Sequence, residues 1–421
     1  MPENSLPLYT GLPFVALLLL IAVLPLAAPG FWEKNRKKAA VVTIVSLPML
    51  FFLASNFPGE LLHSLKEYFS FIMLLASLFI ISGGILVNGD LRATPAVNTA
   101  FLAIGAVIAN LIGTTGASML LIRPVLRTNS ERKYTRHIPV FFIFAVSNIG
   151  GCLTPLGDPP LFLGYLRGVP FGWTIRLFPQ WLFTLAIVLA VFYLIDRHNY
   201  RREAPSDLVK DKAAYVPLGI KGGINILFVV GVILCVFFQV PLPFREIIMM
   251  AMVLLSLLFT PREARAGNRF TFGPINEVAI LFAGIFVTMV PVLMMLKEGG
   301  AALGITKPWQ FFWITGGVSS FLDNAPTYLT FFSLAQSVTG TIPGSSVNAI
   351  SGVSEPLLRA ISCGAVFMGA NSYIGNGPNF MVKSIAEEQG VNIPHFFAYM
   401  LYSALILLPI FALVTVIFFR G

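Results

Sequence analysis

Two acidic residues stand where an apolar chain has little room for charge. Asp158 lies in the tract Ser147-Asn148-Ile149-Gly150-Gly151-Cys152-Leu153-Thr154-Pro155-Leu156-Gly157-Asp158-Pro159-Pro160, and Asp323 opens Asp323-Asn324-Ala325-Pro326. A carboxylate at the centre of a bilayer costs at least about 2.5 kcal/mol, so it usually marks a proton or cation path. In an unwound stretch such a group can bind a cation or exchange a proton as its surroundings change. A third tract, Phe367-Met368-Gly369-Ala370-Asn371-Ser372-Tyr373-Ile374-Gly375-Asn376-Gly377-Pro378-Asn379, carries no acid but is dense in amides. Thr114, Thr115, Asn148, Thr154, Asn324, Thr327, Asn371, Ser372, Asn376 and Asn379 offer side-chain oxygens. Unwinding at Gly157 and Gly375 frees carbonyls. Hard cations prefer oxygen donors, so this set suits sodium and leaves no place for a soft metal. The plainer alternative is structural. Asp158 and Asp323 could each cap the half-helix that follows, since both closely precede Pro, while the amides satisfy broken backbone.

The elements that must position these residues are membrane helices. Hydrophobic residues make up 56% of the 421 and charged residues only 11%, less than half the share of a soluble domain. Spans of about 20 apolar residues are expected at 11–29, 39–57, 67–88, 136–168, 173–195, 220–239, 243–260, 275–297, 354–389 and 394–419. Two of them, 136–168 and 354–389, are too long for one straight crossing and hold the Gly- and Asn-rich tracts. Each reads as helix, unwound stretch, helix. Two further segments read as re-entrant hairpins: 94–127, turning at Gly113-Thr114-Thr115-Gly116, and 307–338, turning at Asp323-Asn324-Ala325-Pro326. The expected fold class is all-α integral membrane, with about ten spans plus two hairpins.

Charge sets the orientation. The loops 30–38, 89–95, 122–136, 196–221 and 261–274, with Lys383, hold 20 of the 28 Lys and Arg. That excess puts them in the cytoplasm and both termini outside. The net charge of +9 is therefore an insertion signal rather than a nucleic-acid footprint. The chain divides into a first inverted repeat over 1–195, a cytoplasmic linker over 196–219 that reads as a solvated loop, and a second repeat over 220–421. A 210-residue shift lays Glu67 on Glu277 and one hairpin tip on the other. A 218-residue shift lays Gly151 on Gly369, Thr154 on Ser372, Gly157 on Gly375 and Asp158 on Asn376. Inverted repeats place a transport site near the midplane.

The remaining reactive residues read as structural. Cys152, Cys235 and Cys363 are isolated in apolar stretches, and His63, His137, His198 and His395 are scattered. Glu67 and Glu277 suit headgroup or packing roles, and Arg359 and Lys383 suit snorkelling. Met1-Pro2-Glu3-Asn4-Ser5 lacks the basic head of a signal peptide, so the first apolar run reads as a retained span. A membrane enzyme would need a metal-ligand set, a Ser/His pairing or paired acids on one helix. None is visible, and no cofactor is expected. Broken helices facing paired hairpins suit alternating access better than a passive channel.

At three places the chain resembles the ion transporter superfamily, in particular its citrate-transporter-like branch, often labelled sodium:proton antiporters. The resemblance rests on Ser147-Asn148-Ile149-Gly150-Gly151 with Thr154-Pro155-Leu156-Gly157-Asp158-Pro159-Pro160, on Phe321-Leu322-Asp323-Asn324-Ala325-Pro326-Thr327, and on Gly369-Ala370-Asn371-Ser372 with Gly375-Asn376-Gly377-Pro378-Asn379. It implies a homodimer in the bacterial-type inner membrane, each copy pairing a scaffold with a mobile transport part. Dicarboxylate members carry Ser-Asn-Thr at each hairpin tip, whereas here the tips read Gly113-Thr114-Thr115-Gly116 and Asp323-Asn324-Ala325-Pro326. The lost triplet and the gained acid favour exchange of sodium for protons at Asp158 and Asp323. The alternative is sodium- or proton-coupled transport of citrate or a related carboxylate.

Overall fold

The computed structural model describes residues 6–341 and 349–420; the Met1–Ser5 segment weighed above lies outside them. Six helices are long and apolar enough to cross a membrane: Leu8–Pro25, Asn35–Asn56, Pro58–Ser82, Pro95–Thr128, Phe171–Tyr200 and Phe396–Phe418. A seventh forms if Gly273–Thr288 and Val290–Leu303, bent by 43°, count as one span. Ile44, Phe51 and Leu405 on these helices, and Leu227 and Leu258 on the shorter Ile224–Phe237 and Phe244–Phe259, stand more than half exposed. Water would not tolerate that surface and lipid does, so the chain is a multi-pass membrane protein.

Proline punctuates the helices as its missing N–H and fixed φ dictate. It opens or nearly opens Pro58–Ser82, Pro95–Thr128, Pro159–Leu166, Pro308–Ser319, Glu355–Met368 and Gly377–Glu388. Both long segments break as expected. The first runs as His137–Ala145, a short 3-10 turn at Ile149–Leu153, and Pro159–Leu166. The second runs as Glu355–Met368, a 3-10 turn at Gly369–Asn371, and Gly377–Glu388.

The first hairpin turns at Gly113, whose φ of 78° belongs to glycine. Its arms fold back on each other, because their far ends meet: Asn98 Nδ2 donates to Asn129 Oδ1 at 2.9 Å, and Asn129 Nδ2 donates to Asn98 Oδ1 at 2.8 Å. Asn98 also donates to Asp196 at 2.9 Å, and Arg132 reaches the same carboxylate at 2.7 Å. In the second hairpin Pro308–Ser319 and Asn324–Thr341 pack together around the break at 320–323.

Several expectations need correction. The span placed at 67–88 begins at Pro58 and ends at Ser82, because Pro58 can open a helix and the pair Gly83-Gly84 disfavours continuing one. The span placed at 275–297 is bent rather than straight, with Pro291 in the first turn beyond the bend. The span placed at 220–239 is helical only over Ile224–Phe237. Its start belongs to a strand, Val216–Lys221, paired antiparallel with Leu86–Asp90 in a short ribbon beside a predominantly helical fold. Nor is 196–219 a solvated loop. It holds the helix Pro205–Ala213 and docks on the base of the first hairpin. Glu203 accepts the backbone N–H groups of Lys133 and Tyr134 at 3.0 and 2.9 Å, and Asp211 accepts that of Ala93 at 3.0 Å. Acids that looked like solvated charge are buried acceptors, 7% and 4% exposed.

The first broken span is held by a backbone crossing. A Cβ on Gly151 would lie 2.7 Å from the Gly157 carbonyl oxygen, and one on Gly157 would overlap the Gly151 carbonyl. Gly157→Ala is expected to cost about 1–3 kcal/mol of strain and to lower the thermal midpoint of the purified protein. Gly317→Ala, where a Cβ meets nothing within 4 Å, should leave the midpoint unchanged or raise it; equal losses would refute the crossing.

Candidate functional site

Asp158 is the residue on which separate segments converge. It is 1% exposed and sits just before the Pro159–Leu166 helix, yet its carboxylate makes no capping bond to that helix. It is used elsewhere. Oδ1 accepts the Thr114 hydroxyl at 2.9 Å and the Asn376 amide at 3.2 Å, and Oδ2 accepts the Asn324 amide at 2.5 Å. One donor therefore comes from each hairpin tip and one from the opposite broken span. The Thr114 backbone N–H also donates to the Gly157 carbonyl at 2.8 Å, fixing the first tip beside the acid.

A second layer of amides locks this arrangement. Asn376 Nδ2 also lies 3.3 Å from Asn148 Oδ1 and 3.2 Å from the Ser147 carbonyl. Asn148 donates to Asn379 Oδ1 at 2.7 Å, and Asn379 donates to the carbonyls of Gly369 and Ser372 at 2.8 and 2.9 Å. Thr154 donates to the Asn110 carbonyl at 2.5 Å, and Ser372 to the Ser320 carbonyl at 2.5 Å. Buried polar groups must be paired, and here nearly all are. The exception nearest the acid is Asn324 Oδ1, which has no partner among the described residues.

The two acids differ. Asp323 is half-buried and lines a cavity; its Oδ1 accepts the Ala325 N–H at 3.0 Å and so caps the following helix. The capping alternative thus holds for Asp323 and fails for Asp158. No hydrogen bond joins the two acids; Asn324, beside Asp323 in sequence, bridges them by reaching Asp158. Thr327 donates to the Asp323 carbonyl at 2.9 Å and belongs to the same cap. Asn371 donates to Ser320 Oγ at 2.9 Å and lies in the packing around the second tip, apart from the acid.

A cavity of about 690 Å³ reaches the site. Its floor is Gly113, Thr114, Thr115, Gly157, Asp323 and Asn376, and its walls carry Lys38, Arg123, Arg269 and Glu388. The half-helix Pro159–Leu166 leads the other way and ends on Arg167. That guanidinium pairs bidentately with Glu67 at 3.1 and 3.0 Å. Glu67 is a buried ion-pair partner, 5% exposed, rather than a headgroup residue. Glu277 pairs with Lys38 at 2.6 Å. Arg359 and Lys383 are taken up by Glu355 and Glu387.

Sequence reasoning missed Asn110, Ser320 and Arg123. Asn110 and Ser320 stand 210 residues apart, the same shift that aligns the hairpin tips, so that shift pointed to them. Arg123 was counted as a loop charge, but it lies within the second arm of the first hairpin.

The cysteines are all free and buried. Among the described residues no group of three or more His, Cys, Asp or Glu could hold a metal ion. No curated protein matches the chain. The sequence profile of the CitMHS_2 family, described as "Putative citrate transport", matches residues 3–419. A match over nearly the whole length, on a multi-pass membrane fold, makes this chain a member of that citrate-transporter-like family of membrane transporters.

Proposed function

We propose that the chain is an ion-coupled secondary active transporter in which Asp158 alternately holds a cation and a proton, exchanging sodium for protons. One observation carries this reading. Asp158 is sealed from water, and its hydrogen-bond donors are two amides and a hydroxyl, with no Lys or Arg paired to it among the described residues. Burying a carboxylate without a countercharge is costly. A proton or a small cation relieves that cost. A sodium ion would find the Asp158 carboxylate, the Thr114 hydroxyl and the unpartnered Asn324 Oδ1 as oxygen ligands. Asp323, at the cavity floor, is the cavity acid next in sequence to a donor of Asp158, Asn324.

The alternation follows from duplication. Thr114 and Asn324 are 210 residues apart and both donate to Asp158. Thr154 and Ser372 are 218 apart, and each donates to a hairpin carbonyl, of Asn110 and Ser320 respectively. These paired bonds support two inverted repeats meeting at one site. The basic residues on its walls support a cavity open to the cytoplasm and termini outside, a reading in which this conformation faces inward. We further propose a homodimer in the bacterial inner membrane. Coupled carboxylate transport is the second reading, favoured by the description of the family.

In proteoliposomes holding the purified chain and a pH dye, an imposed sodium gradient should move protons. Asp158→Asn is expected to abolish that signal. Asp323→Asn should leave exchange in place with a several-fold higher sodium KM. Wild-type exchange in Asp158→Asn would sink the assignment; absence of any sodium-driven proton signal, with labelled citrate accumulating instead, would establish the second reading.

A further inference from the structure

The charges around the cavity do not balance locally. Seven of its lining residues are ionisable acids or bases: Glu33, Lys38, Arg123, Arg269, Glu277, Asp323 and Glu388. Four of these are spent on each other, as Lys38 with Glu277 and Arg269 with Glu388. Glu33 is exposed at the rim, and Asp323 sits at the floor. That leaves Arg123 as the one lining cation without an ion-pair partner among the described residues. Its side chain is half-buried, and its Nη1 is enclosed with no hydrogen-bond acceptor.

An enclosed guanidinium donor without an acceptor is expensive. The nearby acid, Glu388, attracts it only from a distance, its direct contact being with Arg269. Arg123 is nine residues past Thr114 on the same helical arm, which places it roughly 13 Å above the tips at 1.5 Å per residue. The neighbours Ile122, Pro124 and Val125 are buried, so the arm is locked in the protein and the head group is not free to swing out to lipid. Arg123 lines the cavity, and its planar fork of N–H donors is suited to a carboxylate or another oxyanion, which it can engage bidentately.

We propose that Arg123 is the anchor of an oxyanion site on the cavity wall, separate from the cation site at Asp158. The cavity then has a positive pole on its wall and a negative pole at its floor. It can hold a small anion and a cation together without either displacing the other. This rests on the carrier reading only in taking the cavity as part of the transport route. The net direction of sodium and protons does not enter it.

Binding is tested without flux, so its failure is distinct from failure of the Asp158 assignment. The full-length purified chain is melted in detergent with increasing citrate or inorganic phosphate, against chloride at matched sodium and ionic strength. A ligand that binds only the folded protein raises the midpoint saturably. The wild type should show such a rise with citrate, phosphate or both, and the comparison of the two identifies the class of oxyanion. Arg123→Gln should raise the half-saturating concentration at least tenfold. Arg123→Lys, which keeps the charge but not the fork, should fall between. Arg127→Gln, one turn further along the helix and outside the cavity lining, should behave as wild type. No saturable effect of either anion on the wild type would overturn the proposal. So would a wild-type response in Arg123→Gln, or equal weakening in Arg127→Gln, which would reduce the effect to general electrostatics.

Discussion

A carboxylate placed in a dry interior must be answered by donors, and most of this architecture can be derived from answering Asp158. No neighbouring turn can supply three donors to a residue whose own helix begins with two prolines. They arrive from a distance: Thr114 from one hairpin tip, Asn324 from the other, and Asn376 from the second broken span. Bringing three such segments to a point requires each to stop part-way, and stopping exposes backbone that an apolar surrounding will not satisfy. The Asn148, Asn376 and Asn379 amides and the Thr154 and Ser372 hydroxyls take up that backbone. The acid and the broken helices are thus one structural problem with one solution.

The two tracts stop a helix in the same way but are not interchangeable. Each crosses its own backbone at a glycine pair, Gly151 with Gly157 and Gly369 with Gly375. Each sends a hydroxyl to a hairpin carbonyl. They diverge at the next position, where the first has Asp158 as acceptor and the second has Asn376 as donor. Chemically that difference is a single oxygen for a single nitrogen. It converts a pair of like elements into an acceptor and its donor, which two ionised aspartates at these places could not be.

How much of this could be read from the chain depended on how local the signal was. Breaks at Gly, Pro and Asn are written into consecutive residues, so both unwound tracts and both hairpin tips were legible. Aligning the halves by a constant shift placed Thr114 against Asn324 before any contact was known. What stayed hidden was partnership across hundreds of residues. Glu67 looked like an interfacial acid because nothing near it in sequence names Arg167. Glu203 and Asp211 looked solvated because their partners are backbone N–H groups, which carry no sequence signature. Asp323 looked equivalent to Asp158, and only the direction of its carboxylate, toward Ala325 N–H, separates a cap from a convergence point.

The half-helix Pro159–Leu166 has the acid before its first residue and Arg167 after its last. Eight residues make about two turns, roughly 12 Å of rod, too short to absorb a displacement by curving. Arg167 is clamped through both ends of its guanidinium to Glu67 on the Pro58–Ser82 helix. The rod is therefore a push-rod with a seat at each end. A lengthwise shift of Asp158 would be felt at the Glu67 pair with no relay of side chains between them, which makes that ion pair a gauge of the acid's position.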